Sequence, residues 1–181
     1  TLGSATVICS DKTGTLTRNS MAVTQVFAAR LPGPTADLRE AAREANLLLN
    51  ARLCNSLKRG SRNGEGDWLG DPMEIALWQF AGEIPELGRR AGEIPFDAER
   101  RRMSVVTREP AGSGFLWCKG APESVLPLCA TWLDGDVSRP FDAQAQELLR
   151  RAQDDMADRG LRVLALAWKP LAAEAGEASE D

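Results

Sequence analysis

The residues best suited to chemistry come early, in the run Asp11-Lys12-Thr13-Gly14-Thr15-Leu16-Thr17. It follows Thr6-Val7-Ile8-Cys9, a short β-branched apolar stretch that reads as a buried parallel strand. A carboxylate at a strand's carboxyl end is exposed at the edge of a sheet. Gly14 and the hydroxyl residues then let backbone N–H groups approach a phosphate. Asp11 can attack phosphorus to give an acyl phosphate, with Mg²⁺ and lysine charge stabilising the group in transfer. An Asx turn closing a strand would also place an aspartate there. The apolar strand before it and the glycine and hydroxyl residues after it make the chemical reading the stronger one.

The elements that must hold such a site alternate irregularly. Met21 to Phe27 is a second β-prone run, and Leu38, Ala41, Ala42, Ala45, Leu48, Leu49 and Leu53 recur at helical spacing. Arg59 to Gly70 reads as a surface loop. Asp71-Pro72-Met73-Glu74 opens a helix that runs to about Gly82, with Asp71 as N-cap and Glu74 at the capping-box position. Met103–Thr107 and Phe115–Lys119 predict a wide hairpin. A short helix begins near Pro122, a turn falls at Asp134-Gly135, and a longer helix from Asp142 ends at Gly160. Leu161 to Trp168 reads as a closing strand. The fold class expected is α+β, a twisted and mostly antiparallel sheet flanked by helices.

Bulk properties narrow the function. The 181 residues suit one domain with part of a second, and 43% hydrophobic residues suffice for a core. The net charge of −4 is spread without a basic run, so nucleic acid is not expected as a partner. Cys9, Cys54, Cys118 and Cys129 lie far apart and there is no histidine, which argues against a zinc site and for reduced thiols. No apolar run approaches the ~20 residues that span a bilayer.

The run from Asp11 to Thr17 resembles the signature of P-type ATPases. Further segments agree in order: Leu53-Cys54-Asn55, Gly70-Asp71-Pro72-Met73-Glu74, Phe96 through Met103-Ser104-Val105, Lys119-Gly120-Ala121-Pro122-Glu123, and Gly160-Leu161-Arg162 to Ala167. The resemblance implies that residues 1–19 are the start of a phosphorylation domain, 20–169 a nucleotide-binding domain and 170–181 a flexible tail. It makes ATP and Mg²⁺ the cofactors, with the metal on the Asp11 carboxylate and the Thr13 carbonyl. Phe96 would stack on adenine, Lys119 would stand at the pocket floor with its ammonium near the nucleotide, and Gly120-Ala121 would let the ligand approach the backbone. Arg101 and Arg162 would face the phosphates. Glu74 has two open readings, one at the adenine amino group and one as a helix cap. Ala98 departs from those calcium pumps that carry arginine there, which shifts phosphate affinity onto Arg101, Lys119 and Arg162.

The resemblance is to type II pumps for calcium, magnesium or sodium and potassium, because heavy-metal pumps place a histidine at the nucleotide. It implies the cytoplasmic part of an integral membrane protein, monomeric as this chain, with ATP or ADP and the rest of the same pump as partners. The later Gly-Asp-Gly motif, the phosphate-binding lysine and the membrane helices are not in the chain, so it is expected to bind nucleotide without turnover. A haloacid-dehalogenase-type phosphatase would share Asp11 but usually carries an aspartate two residues on. Thr13 cannot serve as that base at neutral pH, which favours a long-lived acyl phosphate. A non-catalytic nucleotide-binding module is the other alternative.

Overall fold

A computed structural model describes residues 18–27, 46–60, 68–84, 88–134 and 137–173. In chain order the elements are α1 (Leu47–Leu53), β1 (Lys58–Arg59), β2 (Trp68–Leu69), α2 (Pro72–Ala81), β3 (Arg89–Asp97), β4 (Arg102–Arg108) and β5 (Gly114–Gly120). Then come α3 (Pro122–Val125), a 3₁₀ turn (Leu126–Leu128), β6 (Thr131–Asp134), β7 (Val137–Pro140), α4 (Ala143–Asp158) and β8 (Ala165–Leu171). The expected α+β class is the observed one. A four-stranded antiparallel sheet, ordered β3-β4-β5-β8, is accompanied by two-stranded ladders β1-β2 and β6-β7.

The two central strands are buried on both faces, and their side chains sort by alternation. Met103, Val105 and Trp117 point to one face, where Cys54 at the end of α1 packs on them with Leu49, Leu53, Phe115 and Trp168. Val106, Leu116 and Cys118 point to the other, against Val125, Leu171 and Cys129. The Trp117 indole N–H donates to Thr107 Oγ1 at 3.0 Å, so its one polar atom is not left bare in the core. Asn50 ties α1 to the sheet, its Nδ2 donating to the carbonyls of Cys118 and Ala167 at 3.0 and 2.7 Å. Ala51, Leu77 and Ala81 join α1 to α2, with Val23, Leu164 and Leu166 at the margin.

Several expectations need correction. Met21 to Phe27 pairs with no strand among the described residues; its Val23 packs on the α1–α2 cluster instead. The last strand begins at Ala165 rather than Leu161, and it ends at Leu171 rather than Trp168. Pro170 therefore lies in the sheet rather than in a tail, and Leu171 is buried in the core. A proline is tolerated there because β8 is the edge of the sheet among the described residues, where a missing N–H breaks no ladder on the outer side. The helix predicted from Leu38 is described only over Leu47–Leu53, and the Asp134-Gly135 turn falls partly outside the described residues, although Asp134 and Val137 pair across it.

Candidate functional site

Asp11 and Thr13, the expected nucleophile and metal ligands, lie outside the described residues. Among the described residues, no cluster of three or more His, Cys, Asp or Glu side chains is placed to hold a metal ion, and no helix is long and apolar enough to cross a membrane. The candidate nucleotide residues are all described. Phe96, Arg101, Lys119 and Gly120 lie at one end of the four-stranded sheet, Glu74 reaches Lys119 from α2, and Arg162 stands in the segment before β8.

Register explains that placement. Asp97 pairs with Arg102, Arg102 with Gly120, and Gly120 with Ala165, so the end of β3, the β3–β4 turn, the end of β5 and the start of β8 form one margin. Between Ile94 and Asp97 the ladder with β4 is irregular, so Pro95 and Phe96 together oppose Met103. Phe96 is 63% exposed, a large aromatic ring on a strand that also carries Arg89, Arg90, Glu93 and Asp97. A core role for this ring is thereby excluded, because core phenylalanines lose nearly all their surface to neighbours. Met103 in turn pairs with Lys119, which pairs with Leu166.

Lys119 is almost wholly buried, and its Nζ donates to Glu74 Oε1 at 2.7 Å. The other oxygen of Glu74 accepts from the Ser56 backbone N–H at 3.1 Å. This corrects the capping-box reading of Glu74. The cap of α2 is Asp71, whose Oδ1 accepts from the Met73 N–H at 2.8 Å, while the Glu74 carboxylate turns inward to neutralise a lysine brought by the sheet. A charge buried to this degree requires such a partner, since desolvating it alone costs several kcal/mol, on the order of a whole domain's margin.

Arg101 sits in the turn that joins β3 to β4, held by Asp97. The Asp97 carboxylate accepts from the N–H groups of Glu99 and Arg100, both at 2.9 Å, and the Arg101 N–H donates to the Asp97 carbonyl at 2.7 Å. Those donors, Arg100 first, hold the Asp97 carboxyl below the usual carboxylate range. Arg101 itself has φ of 49°, the left-handed region. Its guanidinium pairs with Glu123 Oε1 at 2.8 Å, an exposed contact that the sequence reading did not contain.

Gly120 has a reason of its own. A Cβ there would lie 2.5 Å from the Arg101 carbonyl oxygen and 2.8 Å from the Arg102 Cα, so the glycine admits the protein's own turn. Arg162, three residues before β8, is exposed and forms no ion pair among the described residues. A cavity of about 990 Å³ lies elsewhere, between residues 20–27, α4 and the approach to β8. It is mainly apolar, reaches Arg162, and is lined by none of Phe96, Lys119 or Glu74.

An exposed aromatic ring and a buried lysine–glutamate pair thus stand on one α+β scaffold. Residues 44–181 match the family model described as P-type ATPase, cytoplasmic domain N. The chain belongs to that family. It is 38% identical to Calcium-transporting ATPase 1 of Lactococcus lactis, over 94% of this chain and 20% of that protein. It is 35% identical to the calcium-transporting ATPase lmo0841 of Listeria monocytogenes over 98% of the chain and 21% of that protein, and 36% identical to Calcium-transporting ATPase 1 of fission yeast, Schizosaccharomyces pombe, over 92% and 21%. The chain thus spans about a fifth of the length of these relatives.

Proposed function

We propose that this chain is the ATP-binding domain of a membrane pump of calcium-pump type. In the whole protein Asp11 accepts the γ-phosphate, with Mg²⁺ held by its carboxylate and the Thr13 carbonyl, and the chain alone binds nucleotide without turnover. Family membership, the names of the relatives and the run from Asp11 to Thr17 support the reading. The single observation that carries the nucleotide part is Phe96, an apolar ring left exposed beside charged side chains where a purine can stack.

Magnitudes assign roles within the site. The Arg101–Glu123 pair is more than half exposed on both sides, and such pairs contribute about 0–1 kcal/mol. A triphosphate can therefore draw Arg101 away from Glu123 at little cost, with Arg162 as the second cation. Breaking the buried Lys119–Glu74 pair would cost about 3–5 kcal/mol, so it stays intact when nucleotide arrives. Each member keeps capacity to spare: the ammonium has two further protons and the carboxylate has further lone pairs. The pair then meets the adenine edge as one unit, Glu74 accepting from the 6-amino group. Guanine carries a carbonyl there, which faces the carboxylate with repulsion, so ATP is preferred over GTP.

Titration calorimetry tests this. Phe96→Ala is expected to weaken ATP binding about 5- to 150-fold, the range that base–aromatic stacking of ~1–3 kcal/mol implies. Unchanged affinity in that variant would contradict the reading.

A further inference from the structure

We propose that Ser56, Arg90 and Glu93 are positioning residues that aim the Glu74 carboxylate at the base, acting through the peptide group that joins Asn55 to Ser56. The proposal rests on the nucleotide-site reading above. Of the two groups that hold Glu74, the Lys119 ammonium is at the end of a flexible stem, whereas the Ser56 N–H is a backbone donor whose direction is set by its loop. Residues 55–57 belong to neither helix nor strand. Contacts from outside the loop also bear on that amide.

Edge strand β3 supplies the grip. Arg90 Nη1 donates to the Asn55 carbonyl at 2.6 Å, and Ser56 Oγ donates to Glu93 Oε1 at 2.7 Å. Arg90 Nη2 and Glu93 Oε2 close the ring at 2.6 Å. The Asn55 side chain clamps the same turn, accepting from Leu57 N–H at 3.1 Å and donating to the Arg52 carbonyl at 2.6 Å.

Two physical points raise this above ordinary loop anchoring. First, side chains three apart on a regular strand point to opposite faces, so Arg90 and Glu93 should not cooperate. The ladder shifts between Arg90 and Gly92, where β3 spends an extra residue against β4, and that bulge brings both side chains to the same side. Second, the Asn55 carbonyl and the Ser56 N–H are opposite ends of one amide. A guanidinium on the oxygen polarises that amide and strengthens its N–H as a donor to Glu74, in a chain that alternates cation, amide, carboxylate and cation from Arg90 to Lys119.

The test uses this chain, with ATP and GTP affinities measured side by side for the wild type, Ser56→Ala, Glu93→Ala, Ser56→Thr and Phe96→Ala, and melting temperatures recorded for each. Ser56→Ala and Glu93→Ala are expected to lower ATP affinity about three- to tenfold, the worth of one or two net hydrogen bonds. GTP affinity should move less than twofold, so the preference for ATP shrinks. Ser56→Thr, which keeps the hydroxyl, should retain the wild-type preference. Equal losses for ATP and GTP, or no loss in either alanine variant, would overturn the positioning role while a weakened Phe96→Ala left the nucleotide site standing. No effect of Phe96→Ala on ATP would instead remove the site itself, and this proposal with it.

Discussion

Lys119 shows how much a single side chain can depend on a residue far away in sequence. Its partner Glu74 lies 45 positions earlier and on another element, yet the two are joined at 2.7 Å with almost no solvent. Removing one member strands the other in the core, which predicts that Glu74→Ala and Lys119→Ala each lose about 3–5 kcal/mol. The double replacement Glu74→Leu with Lys119→Met removes both charges and should lose far less. Urea unfolding of the four proteins checks this; single variants within about 1 kcal/mol of wild type would mean the pair is not buried as described. The residue types of this pair were legible in the sequence, but their partnership was not. Glu74 follows Asp71 at the spacing of a capping box, and local pattern cannot report that β5 brings a lysine to it across the fold.

Helix α4 is held by its ends and its surface more than by its core, since Ala145 is its one buried residue. Asp142 caps its start by accepting from the Ala145 N–H at 2.9 Å. Gly160, at φ 74°, ends it with N–H bonds from Gly160 to the Ala157 carbonyl and from Leu161 to the Met156 carbonyl. Between them Glu147 accepts from Arg150 and Arg151, and those hydrogen bonds, Arg150 first, bring its carboxyl down to about 2. A folded-state value below the ordinary one means that the contribution is complete above the usual glutamate range, near 4.5, and is lost as pH falls towards 2. Carbon-detected titration of Glu147 should show its midpoint near that lower value, and a midpoint in the ordinary range would contradict the pairing. Both caps were readable from Asp142 and Gly160, because capping is local chemistry. The ends of β8 were not, because the apolar run from Leu161 continues through residues that pack without pairing, and Pro170 disguises an edge strand as its own terminus.

Across the molecule, α1 covers one face of the two central strands, and Cys54 reports on the interior between them. The thiol is fully buried, donates to the Trp117 carbonyl at 3.4 Å, and burial pushes it up to about 12. At neutral pH it is a protonated, inaccessible group. Peptide-resolved alkylation should therefore leave Cys54 unmodified in the folded chain and should follow global unfolding when urea is added; rapid labelling under native conditions would show that α1 opens independently.

The α+β class was legible because the strands of the central hairpin, Met103–Thr107 and Phe115–Lys119, carry their own pairing chemistry. The residues proposed for the site, Phe96, Lys119, Arg101 and Arg162 among them, can be named from sequence pattern, but the contacts of Arg101 with Glu123 and of Glu74 with Ser56 required the fold. The central claim is that ATP binds at the sheet margin that carries Phe96 and Lys119. Backbone and side-chain resonances of the chain titrated with ATP measure this most directly. Shifts concentrated at Phe96, Lys119, Gly120 and Arg162 are the predicted result. Shifts centred on residues 20–27 and α4, with Phe96 and Lys119 unmoved, would contradict it.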